Sequence, residues 1–332
     1  MATSLEKSPF LTSSDFNVAS SPHWRDGSSL AQIQALWLLA LMPAVWAAWS
    51  HFGLTGLRVL CLATATAVIW DALGNRIFPG KDHTSNLSSV TLGLLLGLIL
   101  PVDAPWWLVT VGTLLMIMVG KKMFGGWGGY PVHPVALSYA MLAVSWPGRL
   151  DRTAALAGLD WPVTMIEPLR LVKTLGPAAE GAFAPLDLLR GDQVAGVGDG
   201  MVIYLAAGGL LLVLLRQVPW QIPLGTLLGT AGAAAALAWL APDRVASAQF
   251  HLLTGGTVLM AFFLLADHTT SPVNARPMLL YGLLAGLLMV LIRTFSSHVD
   301  GGMFALLLVN LCSPLLDRWV PRLKGLEGGS DA

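Results

Sequence analysis

Charge is scarce in this chain. Of its 332 residues only 11% are Asp, Glu, Lys or Arg, against 55% hydrophobic ones, and the mean hydropathy is +0.67. A soluble globular domain carries about 25% charged residues, so that class is excluded and an integral protein of the lipid bilayer is indicated. The formal net charge is zero, so nucleic acid has no basic footprint to bind. Cysteine is nearly missing too: Cys61 and Cys312 stand alone in apolar runs without CxxC spacing. That excludes a thiolate metal site or iron–sulfur cluster on this chain alone and leaves two buried, inert thiols. Dinucleotide fingerprints, metal-ligand motifs and nucleophile constellations are lacking, so no catalytic residue and no metal ligand is expected. The first thirty or so residues are polar and Ser-rich without an apolar core, and no cleaved signal peptide is expected. Tryptophan, by contrast, is plentiful, with 13 against 4 tyrosines, which fits interface anchors or packing between helices.

What the chain has is long apolar runs. A spanning helix needs roughly 17 to 25 mostly apolar residues. Ten segments qualify as full or short spans: 34–52, 56–76, 87–100, 105–120, 132–147, 200–216, 222–241, 249–266, 277–294 and 302–317. The fold class is therefore all-α, a polytopic membrane protein with about ten transmembrane helices. Short spans broken by Pro or Gly are tolerated only inside protein or along a cavity. Pro101-Val102-Asp103-Ala104 lies on Pro272-Val273-Asn274-Ala275 at an offset of 171, which also sets Lys122 on Arg293 and Phe124 on Phe295. Two five-helix copies follow, and because five is odd the second is inverted, as in many transport folds.

The expected organisation is a cytoplasmic tail (1–33), a first repeat (34–147), an extracytoplasmic loop (148–199), a second repeat (200–317) and a cytoplasmic tail (318–332). Eleven Lys and Arg fall on the inner side of this topology and eight on the outer, with five of the eight in the one long loop, where charge matters less.

Polar residues in these segments are the functional candidates. Asp71, in Trp70-Asp71-Ala72-Leu73, costs about 2.5–3.5 kcal/mol to insert unless paired or solvated. It is either an ion-coupling group or a structural pair, with Arg76 as partner. Lys121-Lys122-Met123-Phe124-Gly125-Gly126 continues to Tyr130-Pro131-Val132-His133-Pro134; its glycines allow close backbone approach and its lysines can neutralise an anion, or the stretch is a packed turn with snorkelling lysines. His251 with Thr254-Gly255-Gly256-Thr257 opens one segment, as Thr84 with Ser85 to Ser89 opens another. Both read as helix ends around a central cavity or as small-residue packing.

These motifs resemble one family. His251-Leu252-Leu253-Thr254-Gly255-Gly256-Thr257, Asp267-His268-Thr269-Thr270-Ser271-Pro272 and Ile292-Arg293-Thr294-Phe295 are similar to runs in the D component of the Rnf electron-transport complex and the B component of the sodium-pumping NADH:quinone reductase. Ser20-Ser21-Pro22-His23 and the Pro43-containing first helix carry the likeness to the N-terminus. The family usually has Glu where Asp71 stands, and Asn where Tyr130 and His133 stand. The resemblance implies a membrane subunit of an ion-translocating electron-transport complex of the bacterial inner membrane, moving electrons through flavin coupled to sodium or proton transport, beside other membrane and peripheral subunits. It implies Asp71, His133 and Asp267 as ion-path candidates, and Lys122, Gly125, Gly126, Thr84, His251, Thr254, Gly255 and Gly256 as cofactor-binding candidates. The alternative is an inverted-repeat transporter or channel-like protein without redox chemistry, since fold does not fix function.

One family motif is missing. Members attach FMN through a phosphoester on the Thr of Ser-Gly-Ala-Thr, ahead of Pro-Leu. The matching stretch here is Glu180-Gly181-Ala182-Phe183-Ala184-Pro185-Leu186-Asp187. Phe183 or Ala184 occupies the Thr position, and neither has a hydroxyl to esterify. Any flavin, FMN or riboflavin, is then expected to be non-covalent.

Overall fold

The computed structural model describes residues 29–78, 87–152 and 167–318, and no β-strand occurs among them. The Ser20–His23 motif lies outside the described residues. Helix α1 (Leu30–Ile77) starts at a reciprocal cap, in which the Ser29 hydroxyl accepts from the Gln32 N–H and the Gln32 side chain accepts from the Ser29 N–H. Gly53, at φ 59° and ψ −139°, splits it into two arms. Nothing lies within 4 Å of a Cβ built there, so the glycine answers a conformational need rather than a crowded one.

Helix α2 (Leu87–Ile99) has 13 residues, nearly all buried. At 1.5 Å per residue it is about 20 Å long, short of a bilayer's hydrocarbon core. Its free C-terminal carbonyls are met by a returning loop: the Gly198 and Asp199 N–H groups donate to the Leu98 carbonyl at 2.8 and 3.1 Å, and Val197 N–H to Leu100 at 2.9 Å. A broken helix is thus satisfied by protein rather than water. Helix α3 (Trp106–Leu114) widens into a π-helical stretch, Leu115–Lys122, and α4 (Pro134–Ser145) follows. The long loop carries α5 (Pro168–Leu175) and α6 (Pro185–Arg190).

The second half contains α7 (Val202–Leu214), α8 (Gln221–Leu240), α9 (Ala248–Leu253), α10 (Thr257–Leu259) running into a π turn Met260–Leu264, α11 (Ala275–Phe295) and α12 (Gly302–Asp317). Only α1, α8 and α11 are long and apolar enough to cross a membrane by themselves among the described residues; α2, α4, α7 and α12 are shorter apolar helices.

Glycine decides how the helices pair. On α8, a Cβ at Gly225 or Gly229 would stand 2.6 or 2.4 Å from the carbonyls of Leu279 or Leu283; on α11, one at Gly282 or Gly286 would meet those of Ile222 or Thr226 equally closely. The two small-xxx-small faces therefore touch backbone to backbone, the usual way helices associate in lipid. The outer faces are apolar instead: Leu54, Leu214, Trp239 and Leu315 are exposed, as are Trp106, Trp220 and Trp239 at helix ends where interface anchors belong. Cys61 is exposed and Cys312 half-buried, against the expectation of two buried thiols. Both lie on outward helix faces, where an apolar residue meets lipid rather than the core.

Candidate functional site

Polar side chains gather at the helix breaks. At the N-terminal end of α2, the Lys121 ammonium donates to Asp71 Oδ1 at 3.1 Å and to the hydroxyls of Ser88 and Ser89 at 2.9 and 3.2 Å. Lys122 reaches the same Asp71 oxygen at 3.0 Å and Asn75 Oδ1 at 2.6 Å. Asp71, both lysines and both serines are buried. The partners of Asp71 are thus Lys121 and Lys122 rather than Arg76, and the lysines do not snorkel. Room for Lys122 comes from Gly74, where a Cβ would lie 3.1 Å from Lys122 Cγ. Gly125 and Gly126, at φ 97° and 92°, end the π-helical stretch, their N–H groups donating to the Lys122 and Lys121 carbonyls.

Ser88 joins this cluster to a second one. It lines a narrow cleft with Gln34 and Trp37 of α1, Thr91 of α2, Trp127, His133 at the start of α4, and Asp267 in the hinge before α11. The cleft encloses about 10 Å³, close to the room one water needs. Tyr130, Thr269 and Thr270 surround the Asp267 carboxyl group. Gln34 Oε1, Trp37 Nε1 and His133 Nδ1 are buried there without a hydrogen-bond partner among the described residues, an arrangement that is costly unless a ligand or water completes it. His133 and Asp267 are therefore brought together, with Asp71 two side chains away through Ser88 and Lys121.

The third cluster sits at the other end of α2, where Asp199 caps it. Arg152 bridges Glu167 at 3.0 Å and Asp199 at 2.8 Å. Arg293 binds Asp300 through Nη2 at 3.0 Å and Nε at 3.1 Å, and donates to the carbonyls of His251 and Thr254 at 3.0 and 3.3 Å. Asp300 also accepts from the Gly256 and Gly302 N–H groups. Gly255, at φ +61°, makes this possible: a Cβ would lie 2.9 Å from Arg293 Nη2, Asp300 Oδ2 and Leu169 Cδ1. Burial pushes Asp199 up to about 6 against the pull of Arg152, and raises Glu167 as well. Asp300 is only slightly exposed, and its desolvation acts the same way, yet Arg293, Arg152 and the two backbone N–H groups outweigh that and hold it at about 2.

The nominated cofactor residues do not share one place. Lys122, Gly125 and Gly126 belong to the Asp71 end, His251, Thr254, Gly255 and Gly256 to the Arg293 end, and Thr84 lies outside the described residues. The hydroxyls of Thr254 and Thr257 are taken by the Phe250 and His251 carbonyls. Sequence reasoning missed Gln34, Trp37, Glu167, Asp199 and Asp300. Their only signal is polarity beside an apolar run, which loop residues share.

The stretch aligned with the family's flavin attachment is bolted down. Glu180 accepts from the Ser247 N–H at 2.8 Å and from its hydroxyl, and the Phe183 ring packs on Phe250 at 6.4 Å. No hydroxyl stands at 183 or 184, so these residues do not fit a flavin phosphoester.

Residues 17–324 match the NQR2, RnfD, RnfE family. The D component of the ion-translocating oxidoreductase complex of Cronobacter sakazakii is 34% identical, covering 93% of this chain and 99% of the relative. That of Salmonella heidelberg is 33% identical over 95% and 99%, as is that of Salmonella typhimurium.

Proposed function

Since the chain belongs to the NQR2, RnfD, RnfE family, we propose that it is a membrane subunit of an Rnf-type ion-translocating electron-transport complex, working beside other membrane and peripheral subunits in a bacterial inner membrane. The observation that carries this reading is the family match across nearly the whole chain. In it, residues 34–147 and 200–317 form two inverted five-helix halves with both tails cytoplasmic and the loop 148–199 outside. Lys122 and Arg293, equivalent at the offset of 171, each enter a buried ion pair, and the two pairs lie towards opposite ends of α2. Inversion asks for that placement.

The ion path runs through the cleft of His133 and Asp267. Asp267 supplies the carboxylate that takes up a sodium ion or a proton, Gln34 and His133 offer the unpartnered atoms beside it, and Asp71 with Lys121 forms a charged gate behind Ser88. Flavin, when bound, supplies the electron-carrying chemistry. On this chain it is held by non-covalent contacts, because positions 183 and 184 have no hydroxyl. The occupation of that position by Phe183 is also what favours the second reading, a transporter or channel-like protein that has given up redox chemistry.

Two measurements test these readings. In the assembled complex in proteoliposomes, Asp267→Asn should cut ion uptake at least about tenfold, by the loss of roughly 1.4 kcal/mol or more of ion binding, while electron transfer persists in part. Equal loss of both, with less folded protein, would make Asp267 structural. Native protein should absorb near 450 nm from bound flavin, roughly, yet show no fluorescent band for this chain in a denaturing gel. A colourless complex favours the transporter, and a fluorescent band overturns the non-covalent assignment.

A further inference from the structure

A cavity of about 480 Å³ opens between the turn from α7 to α8 and the hinge before α11, and the ion path described above does not use it. Arg216, Gln217 and Trp220 line it from the turn, and His268, Ser271 and Val273 from the hinge. Trp220 is 57% exposed and Val273 80%, so the cavity has its mouth on the surface of the chain, at a helix end where a membrane interface belongs. Arg216 is the one permanently charged side chain on the lining, which has no Asp or Glu. Asp317 accepts from the Val273 N–H at 3.0 Å, with Arg318 next to it in the chain and Arg276 three residues past Val273. Asp267, although it adjoins His268, lines the separate cleft of Gln34 and His133. The backbone shows that the cation is kept here against local preference. Arg216 stands at φ 57°, the only non-glycine residue with positive φ among the described residues. Its N–H donates to the Val213 carbonyl at 3.0 Å and the Gln217 N–H to the Leu212 carbonyl at 2.9 Å, closing α7 in a motif whose left-handed position favours glycine.

We propose that this cavity binds an anionic glycerophospholipid, with its phosphodiester on Arg216 and its glycerol and first acyl carbons on Val213, Trp220, Val273 and Met278. A phosphodiester carries a single negative charge and two free oxygens. One guanidinium balances that charge and meets both oxygens with parallel N–H groups. The Gln217 amide, the Ser271 hydroxyl and the Trp220 indole N–H add neutral donors on the same lining. Basic pockets between membrane helices hold anionic headgroups by these means. Because the lining has no carboxylate to receive an ammonium, phosphatidylglycerol fits it better than phosphatidylethanolamine. The inference depends neither on the ion path nor on electron transfer.

The test is native mass spectrometry of the full-length chain, released from detergent micelles after incubation with equal amounts of phosphatidylglycerol, phosphatidylethanolamine and phosphatidylcholine. One phosphatidylglycerol is expected to stay bound, saturably and several-fold ahead of the other two. Arg216→Gly is the deciding variant: it removes the cation and also suits the left-handed backbone, so the chain should fold at least as well. Retention should weaken at least about tenfold, as loss of charge-assisted bonds implies. Arg216→Lys, which keeps the charge without the fork, should lose less. Val273→Glu sets a carboxylate at the mouth and should expel the lipid by like-charge repulsion, an independent check should the glycine variant misfold. Arg276→Gln, outside the lining, should change retention by less than about twofold, since an exposed charge is screened. Thermal unfolding followed by circular dichroism verifies the fold of each variant. No retained phosphatidylglycerol, equal retention of all three lipids, or retention that Arg216→Gly and Arg276→Gln reduce alike overturns the site. Since the readout is lipid on the isolated chain, that failure leaves the electron-transport reading untouched.

Discussion

The two ends of α2 hold charge in different ways. At the Asp71 end, two ammoniums converge on one carboxylate oxygen, 3.1 and 3.0 Å away, and the links run between side chains of α1, α2 and the π-helical stretch. At the Arg293 end, guanidinium forks hold carboxylates and backbone carbonyls together, and Asp300 accepts N–H groups from two helix starts. Lysine is a point charge on a flexible stem, whereas arginine fixes direction through planar donors. The first cluster therefore rests on electrostatics rather than on fixed donor directions. The second is a joint between the loop residues Arg152, Glu167 and Asp199 and the second half of the chain.

The comparison can be broken most decisively at the carboxylates. Asp71→Ala removes the oxygen shared by two buried ammoniums and is expected to cost about 3–5 kcal/mol, the usual penalty for stranding a buried charge. Asp300→Ala should cost less, because Arg293 keeps the carbonyls of His251 and Thr254. Folded fraction after heating in detergent, read by size-exclusion chromatography, orders the two. If Asp300→Ala is the more damaging, the joint carries more than its backbone contacts imply.

A smaller effect tests the chemistry of the cations. Arg293→Lys retains the charge but cannot span Asp300 and two carbonyls, so a loss of about 1–3 kcal/mol is expected from unmet buried acceptors. Lys122→Arg should be tolerated poorly as well, for space rather than donors, since the Lys122 stem is packed so closely on Gly74 that a Cβ there would lie 3.1 Å from its Cγ and 3.3 Å from its Cε. Chemical denaturation of both variants ranks the two losses.

The smallest effect is a pH dependence at the Asp199 end of α2. Asp199 binds its proton more tightly when folded, with a pKa raised to about 6 from 3.8, so the folded state holds more protons than the unfolded one between those values. Its contribution is fully present below about pH 4 and is lost as pH rises through about 6. Asp300 runs the other way: depressed to about 2, its contribution is present above about pH 4 and lost as pH falls through 2. Asp199→Asn should flatten the thermal stability profile between pH 4 and 6 by a few degrees, on the scale of about 2–4 °C per kcal/mol. An unchanged profile would place the titration elsewhere in the cluster.

Much of this molecule is written in its one-dimensional pattern. Long apolar runs can only become helices in lipid, because an unpaired peptide group there is too costly, so the helix positions and the break at Pro272 were legible. Motifs such as Thr254-Gly255-Gly256 signalled that the backbone must come close to something. They did not say to what, and the answer is the Arg293 fork. Asp71 announced itself by its cost, but its partners stand some fifty positions away in the chain, at Lys121 and Lys122. Gln34 and Trp37 looked like ordinary helix residues, since a single polar side chain in a span carries no mark of which neighbour it will face.

By itself, then, the sequence determined a helical membrane protein of a recognisable family, and it ruled out a flavin ester at Phe183 or Ala184 by the plain absence of a hydroxyl. Only the tertiary structure decided which charges meet, that His133 and Asp267 share one cleft while the nominated cofactor residues divide between two ends, and that Arg216 lines a cavity. The physical reason is range: burial cost and backbone satisfaction act locally and leave periodic traces, whereas ion pairs and cavities form between residues that only packing brings together.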